Sequence, residues 1–169
     1  YGGTVGVNRG VDSITQESST VAISMTSVVD GILTGTTGND AIWGTGAAET
    51  IKGLGGNDIF LYNSINKSDD VIKDFSNESE EKDSLDFSDL LQDTTESSEV
   101  LDAYLNFSQS SDNSADIIIE LDPAGDIDNN APSQTVVVKG AYADFTSNGT
   151  SDVDIINTLL ANNNLNTEI

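Results

Sequence analysis

Large apolar side chains recur every nine residues near the start of the chain, separated by polar stretches rich in glycine. Ile42, Ile51 and Phe60 each occupy the eighth place of one of three consecutive nonapeptides. The first six places are rich in Gly, Thr and Asn, which favour tight turns. The last three places suit a short strand whose middle side chain points into the fold. The pattern predicts a regular succession of turns and short strands.

The same nonapeptides place an acidic residue in the sixth position of every turn. They span residues 35–43, 44–52 and 53–61, and their acidic residues are Asp40, Glu49 and Asp58. If two nonapeptides make one coil, Asp40 and Asp58, which are 18 residues apart, lie one above the other. Such carboxylates repel each other unless a hard cation lies between them. A flexible glycine-rich linker is the alternative, but three repeats in register favour the folded interpretation.

The hydrophobic pattern after the repeats is that of ordinary strands and helices. Residues 70–75 alternate with period two and predict a strand. Residues 83–91 predict a short strand that turns into a helix capped near Ser88. Residues 96–105 predict an amphipathic helix, because Val100, Leu101, Tyr104 and Leu105 have helical spacing.

Two β-branched runs, residues 115–121 and 134–140, predict strands, because turn residues bound both of them. Between them, Asp126, Asp128 and Asn130 have the spacing of a calcium loop but lack the Gly and Glu of an EF-hand. A cation site and a hydrophilic hairpin loop both stay open there. Residues 151–169 predict an amphipathic helix that is capped by Ser151 or Asp152. Its apolar residues are Val153, Ile155, Ile156, Leu159 and Leu160.

Residues 1–31 give the weakest pattern and are interpreted as a linker or the end of a preceding domain. Residues 19–29 alternate apolar and hydroxyl side chains, as a half-buried strand or the first coil of the repeats would. The sequence begins with Tyr1 and not with Met, so we expect it to be a piece of a longer protein.

Charge and composition exclude several function classes. Six Lys and Arg stand against 29 Asp and Glu, a net charge of −23, which disfavours binding to nucleic acid or anionic membranes. The absence of Cys and His excludes disulfides, zinc sites and histidine catalysis. No apolar stretch approaches the roughly 20 residues that membrane insertion needs. With neither H-E-x-x-H nor G-x-S-x-G present, we expect no enzymatic activity in this chain.

The nonapeptides resemble the G-G-x-G-x-D-x-U-x repeats of the RTX family, which form a calcium-binding parallel β-roll, or β-helix. Residues 70–75 and 83–88 resemble the segments that follow the repeats in that family. The resemblance implies a mainly β fold, with a short β-roll and a β-rich C-terminal segment with short helices. The implied regions are the β-roll over residues 32–75 and a capping and secretion-signal region over residues 76–169.

The resemblance also implies calcium ligands. A first site would use the carboxylates and backbone carbonyls of two loops, at Thr36, Gly38, Asp40, Gly53, Gly55 and Asp58. The middle nonapeptide departs from the pattern at Ala47 and Glu49, so no site is assigned to its side. A further site would join Asp70 to Gly56 and Asp58. The alternative for Asp70 is a solvated acidic strand edge.

Beyond residue 92 the chain resembles the C-terminal region of giant RTX adhesins of Gram-negative bacteria. The similarity lies in a Leu-x-Phe strand, a D-P-x-G hairpin, a T-V-V-V-x-G strand and a D-I-I-x-x-L-L-A helix. Such proteins reach the medium or the cell surface by type I secretion, through an ABC transporter, an adaptor and an outer-membrane channel. The resemblance implies an uncleaved C-terminal secretion signal, with a signal helix at Ile155, Ile156, Leu159 and Leu160.

Calcium would then act as a folding switch. Extracellular modules bind calcium with dissociation constants of about 10⁻⁴–10⁻³ M, far above the free calcium of the cytosol. The chain is expected to stay unfolded inside the cell and to fold outside. Two alternatives are the tail of a secreted RTX enzyme and a binding module for ice, sugar or another surface ligand. The binding module would use Thr36, Thr37, Asn39 and Asn57.

Overall fold

The computed structural model of the protein describes residues 15–16, 19–20, 31–44, 47–65, 69–78, 80–91 and 97–167. Within these ranges short strands predominate over helices, which confirms the expectation of a mainly β fold. β1 (Thr15–Gln16) and β2 (Ser19–Thr20) form an antiparallel pair. The rest of the prediction for residues 1–31 lies outside the described residues, apart from Gly31. No helix in these ranges has the length and apolar character needed to cross a membrane.

The nonapeptides form short strands that alternate between two sheets. In one sheet, β3 (Ile32–Thr34) pairs in parallel with β5 (Thr50–Lys52). In the other, β4 (Ala41–Trp43) pairs in parallel with β6 (Ile59–Leu61). Partners such as Ile42 and Phe60 are two nonapeptides apart, which is the offset that the sequence predicts.

Both sheets continue beyond the repeats. β7 (Asp69–Ile72) pairs in parallel with β5, and β8 (Ser84–Asp86) pairs in parallel with β6. We call residues 31–86 the coiled segment. The middle side chain of nearly every strand is buried between the two sheets, and these side chains are Leu33, Ile42, Ile51, Phe60, Ile72 and Leu85. One buried apolar side chain from each of these strands thus forms the core of the coiled segment.

A three-stranded antiparallel meander extends the first sheet. It consists of β9 (Leu105–Gln109), β10 (Ile117–Leu121) and β11 (Gln134–Val138). β11 lies parallel to β7, which joins the meander to the coiled segment in one six-stranded sheet. The two strands predicted from β-branched runs are confirmed as β10 and β11.

In the described ranges, three short helices accompany the sheets: α1 (Ser98–Leu101), α2 (Tyr142–Phe145) and α3 (Asp152–Ala161). Ser151 caps α3, because its Oγ accepts the N–H of Asp154. The apolar face of α3 packs into the common core through Ile155, Ile156 and Leu159, while Leu160 is partly buried. The predicted C-terminal helix and its Ser151 cap are confirmed over Asp152–Ala161, but the helix does not extend to residue 169 as the stretch 151–169 had predicted.

Two helix predictions need correction. The predicted helix near Ser88 is a hydrogen-bonded turn over residues 88–90, because the Ser88 hydroxyl donates to Asp86 at 2.6 Å and caps no helix. The predicted helix over residues 96–105 ends early: α1 stops at Leu101, and Leu105 begins β9. Pairing of β9 with β10 overrides the helical spacing there, and Val100 is exposed.

The polar C-terminal stretch contains a strand that the sequence pattern did not indicate. β12 (Leu165–Asn166) lies parallel to β8 and completes a four-stranded sheet in the order β12, β8, β6, β4. The N–H groups of Leu85 and Phe87 donate to the carbonyls of Asn164 and Asn166 at 2.8 and 2.9 Å. The region expected over residues 76–169 therefore contributes two strands, β8 and β12, to the sheet of the coiled segment.

Candidate metal centre

Three loops stack on one side of the coiled segment. The first loop (residues 35–40) leads to β4, the second loop (residues 53–58) leads to β6, and the third loop (residues 73–83) leads to β8. Asn39 Oδ1 accepts the N–H of Asn57 at 2.8 Å, and Asn57 Oδ1 accepts the N–H of Lys82 at 2.8 Å. The Asn side chains thus hold each loop on the next one.

A column of buried carboxylates runs through these loops. Asp40, Asp58 and Asp83 each directly precede a strand, and their exposed fractions are 0%, 2% and 3%. Asp58 Oδ1 accepts the N–H of Asp40 at 2.9 Å, and Asp83 Oδ1 accepts the N–H of Asp58 at 2.9 Å. The carboxylates of Asp58 and Asp83 therefore each lie against the backbone of the preceding acidic residue in the column.

Glycine in the first place of each nonapeptide makes room for these carboxylates. A Cβ on Gly53 would collide with the carboxylate of Asp58, and a Cβ on Gly44 would collide with that of Glu49. A Cβ on Gly35 would lie 2.8 Å from Asp40 Oδ2. The first and sixth places of the repeat are thus coupled by direct contact.

The electrostatics of the column favour a bound cation. Burial and the neighbouring charges of Asp83, Asp40 and Asp74 together raise the pKa of Asp58 to about 7, against the lowering effect of the hydrogen bond from the N–H of Asp40. Burial likewise raises the pKa of Asp83 to about 6, with contributions from Asp74 and Glu81. Asp40 Oδ2 accepts the N–H of Thr36 at 2.5 Å, but Asp40 Oδ1 is buried without a hydrogen-bond partner.

The first and second loops contain the six residues expected to form the first calcium site, and the structure brings these loops together. The Thr36 carbonyl accepts the N–H of Gly55 at 3.4 Å, and a Cβ on Gly56 would lie 2.7 Å from the Gly38 carbonyl oxygen. The described part of the chain holds no metal-type cluster of three or more acidic side chains. A site made of two carboxylates and backbone carbonyls needs no such cluster.

The residues expected to form the further site are arranged differently. Asp70 Oδ1 accepts the N–H of Glu49 at 3.1 Å, on the side of the coiled segment opposite to the three loops. The hydrogen bonds of Asp58, in contrast, join it to Asp40 and Asp83. The structure thus places Asp70 with Glu49, whereas it places Gly56 and Asp58 in the second loop.

Sequence reasoning missed Asp74 and Asp83 in the third loop. Asp74 accepts the N–H groups of Gly53 and Leu54 at 2.9 and 3.1 Å, which fixes the start of the second loop. Asp83 could have been found from its local pattern, because it precedes a strand with a buried middle residue, Leu85, as Asp58 precedes Phe60.

The loop between β10 and β11 is a hydrophilic hairpin loop held by its own amide groups. Asn129 Nδ2 donates to Asp126 Oδ1 at 2.6 Å, and Asn130 Nδ2 donates to Asp122 Oδ2 at 3.2 Å. Asn130 thus acts as a hydrogen-bond donor here, which favours the hairpin interpretation over a calcium loop.

Comparisons with known proteins identify no relative. Neither a scan against models of protein families nor a search of curated proteins finds a match to this chain. Sequence pattern and geometry are therefore the grounds on which a function is assigned below.

Proposed function

We propose that the first and second loops bind a calcium ion between them and that the coiled segment is a short parallel β-roll of the RTX type. The observation that carries this proposal is the buried oxygen Oδ1 of Asp40, which has no hydrogen-bond partner. A buried carboxylate oxygen without a partner is costly, and the cost grows when a second carboxylate lies beside it. A hard cation at this place removes both costs.

The donor set fits calcium. The carboxylates of Asp40 and Asp58 and the carbonyls of Thr36, Gly38, Gly53 and Gly55 supply oxygen ligands only. Calcium accepts six to eight oxygens in variable geometry, whereas magnesium requires a near-ideal octahedron and retains water. Loops with many backbone carbonyls therefore favour calcium.

In this proposal calcium controls folding. The net charge of −23 opposes compaction of the metal-free chain, and an ion that binds only the folded state stabilises it by mass action. Millimolar calcium outside the cell then drives the folding that low cytosolic calcium prevents. The chain acts as a calcium-dependent folding module and type I secretion signal of a large adhesin that is secreted or displayed on the cell surface.

A calcium titration tests the site. Far-UV circular dichroism and Trp43 fluorescence are expected to report a cooperative gain of structure near millimolar calcium, and magnesium is expected to give none. Asp40→Asn and Asp58→Asn are expected to shift the midpoint to higher calcium, while Asp126→Asn in the hairpin loop leaves it unchanged. The proposal would be contradicted if the protein showed its full β-sheet signal in the presence of a calcium chelator. It would also be contradicted if all variants had the same calcium midpoint.

The secretion signal is assigned to α3. Because Ile155, Ile156 and Leu159 are buried in the folded chain, the transporter engages them before folding. Replacing these residues and Leu160 by Ser is expected to abolish export. Ile119→Ala in β10 is the control, since it disturbs the same fold without changing α3. If both variants are exported equally, α3 is not the signal.

The alternative binding function receives less support from the loops. Asn39 and Asn57 use their side-chain oxygens to join the loops, and Thr36 Oγ1 donates to Asp40 Oδ2 at 3.0 Å. Three of the four side chains expected to contact ice or sugar thus have partners within the fold.

A further inference from the structure

Three lysines lie side by side on the outer face of the six-stranded sheet. The structure describes four basic residues, and three of them, Lys52, Lys73 and Lys139, directly follow buried strand residues. The N–H of Lys73 donates to the carbonyl of Ile51 at 2.9 Å. The N–H of Lys139 donates to the carbonyl of Ile72, also at 2.9 Å. Since successive side chains of a strand point to opposite faces, these lysines form a row on the face turned away from the core, here called the lysine row.

The charges of Lys52 and Lys73 have no acidic partner within the fold. Lys73 is exposed and Lys52 is partly exposed. In the part of the chain that the structure describes, no carboxylate lies within salt-bridge distance of either side chain. Lys139, at the end of the row, pairs with Asp116 at 2.7 Å and is 33% exposed. Like charges at neighbouring positions of a sheet destabilise it, so an anion that contacts both Lys52 and Lys73 stabilises the folded sheet.

A row of partly exposed aliphatic side chains runs beside the lysine row. Val71 lies between Thr50 and Val137 on the neighbouring strands, and Ile118 lies next to Val137. Their side chains are all partly exposed. The face thus presents ammonium groups next to methyl groups. This combination suits a charged sugar polymer, because a sugar ring carries apolar C–H groups as well as polar substituents.

We propose that this face of the sheet binds a linear polysaccharide that carries sulfate esters. Neighbouring strands are about 4.8 Å apart, so the ends of the lysine row are about 10 Å apart. A sugar ring is about as long as one strand spacing, so sulfates on successive or alternate rings can each meet a lysine. In an extended acidic peptide the side chains of one face recur about every 6.7 Å, which does not match the row. The binding face lies apart from the two calcium-binding loops and goes beyond their function.

The chemistry of lysine favours sulfate over carboxylate. Its ammonium group is a point charge and lacks the planar fork with which arginine binds a carboxylate through two parallel hydrogen bonds. A sulfate ester presents oxygens in several directions, so a single sulfate can contact both Lys52 and Lys73. The net charge of −23 opposes any polyanion at long range. At physiological salt, charges further away than about 8–10 Å are largely screened, so the lysine row determines the attraction at the face itself.

Binding of dextran sulfate tests the proposal. Its affinity for the folded protein is measured by isothermal titration calorimetry in calcium at several salt concentrations, and unsulfated dextran is expected not to bind. Lys52→Gln and Lys73→Gln are each expected to weaken binding about fivefold and to lower the salt dependence by about one released ion. Lys73→Arg keeps the charge and is expected to bind as the unaltered protein does. Lys82→Gln in the third loop removes the same charge outside the row and is expected to change neither quantity.

Three results would overturn the proposal, once circular dichroism has verified that each variant is folded. The first is the absence of dextran sulfate binding at physiological salt. The second is an equal loss of affinity in Lys73→Gln and Lys82→Gln, which would indicate a general effect of charge. The third is tighter binding of polygalacturonate or polyglutamate than of dextran sulfate at the same free calcium concentration, which would assign the face to a carboxylated sugar or to an acidic peptide.

Discussion

At the scale of single residues, the contact between the first and sixth places of the repeat sets the strictest requirement. A Cβ on Gly53 would overlap the Asp58 carboxylate, so Gly53→Ala is expected to destabilise the calcium-bound protein by about 1–3 kcal/mol, the usual cost of overpacking. Gly55→Ala is the control in the same loop, since its Cβ would lie 3.6 Å from Glu81 Oε1, an ordinary contact. Calcium-dependent unfolding in urea measures both. An equal loss of stability in Gly53→Ala and Gly55→Ala would contradict a specific role for the contact between Gly53 and the Asp58 carboxylate.

Leu54 occupies a strained conformation that glycine would relieve. Its φ angle is +79° and its side chain is 49% exposed, so little buried surface is lost on its removal. Leu54→Gly is expected to raise the free energy of unfolding by about 0.5–1 kcal/mol, because relief of the left-handed strain exceeds the entropy of glycine in the unfolded chain. Leu54→Ala keeps the strain and is expected to give no gain. A thermal or urea unfolding series compares the three proteins.

Protonation of the acidic column gives the calcium-free chain an unusual pH dependence. The pKa values of Asp58 and Asp83 rise to about 7 and about 6 on folding, so the folded state binds protons more tightly than the unfolded state. Any metal-free folded state is therefore expected to lose stability as the pH rises from about 4 to 7. With calcium bound the trend reverses, because protons compete with the ion. Urea unfolding at pH 5 and pH 8 measures the free energy of unfolding at each pH. The double variant Asp58→Asn/Asp83→Asn is expected to lose this pH dependence, and a double variant with the same pH dependence as the unaltered protein would contradict the prediction.

At the scale of elements, the strands of the repeats could be predicted because each carries one apolar residue at a fixed interval. Ile42, Ile51 and Phe60 lie between the sheets as the pattern requires. The third loop escaped the same reasoning, since Asp83 follows Asp58 by 25 residues and not by 18. The longer interval interrupts the 18-residue spacing of the acidic residues in the sequence. The third loop nevertheless stacks on the second loop, because Asp83 accepts the N–H of Asp58.

An ion pair between a buried aspartate and a partly exposed lysine joins the residue before β10 to the residue after β11. Asp116, which is 1% exposed, accepts hydrogen bonds from Lys139 Nζ at 2.7 Å and from the N–H of Gly140 at 2.9 Å. Burial acts to raise the pKa of Asp116, but these hydrogen bonds hold it below its usual value. Asp116→Ala is expected to cost about 1–3 kcal/mol of stability, because it leaves the N–H of Gly140 and the partly exposed Lys139 without their acceptor.

Asp112→Ala is the control for this ion pair, since Asp112 is exposed in the same turn. Urea unfolding is expected to show little change for Asp112→Ala. The Asp116 contribution is also expected to fade as the pH falls through the lowered pKa of Asp116, because the protonated carboxyl no longer pairs with Lys139. Equal effects of the two substitutions would contradict a stabilising role of the pair.

At the scale of the whole molecule, the C-terminal strand β12 pairs with β8 in the middle of the chain. Asn164 Nδ2 donates to the carbonyl of Asp83 at 2.6 Å, and Leu165 is buried beside β8. Deleting residues 164–169 is expected to cost about 3–5 kcal/mol, from the burial of Leu165 and several hydrogen bonds. Deleting only residues 168–169 keeps β12 and is the control. Urea unfolding with and without calcium measures the loss of stability, and it shows whether the deletion also weakens calcium binding by the first and second loops.

The sequence could not indicate this closure, because Leu165 is a single apolar residue among Asn residues and carries no periodic signal. The sequence did not indicate the pairing of β7 with β11 for a related reason. Both strands were predicted, but pairing between residues that are 66 positions apart is determined by packing and not by a local pattern. Local periods thus predicted the strands of the repeats and the stacking of Asp40 and Asp58, whereas Asp83, β12 and the long-range contacts between the coiled segment and the meander required the structure.

The position of β12 also determines when the protein can finish folding. β8 and its neighbour β12 are far apart in sequence, since Asp86 and Asn166 are 80 residues apart in the chain. Pairings across such distances form late, because a long stretch of polypeptide must first be brought together. While the exported chain folds, β4, β6 and β8 can therefore assemble first only with one edge exposed, and the sheet is completed when residues 165–166 pair with β8.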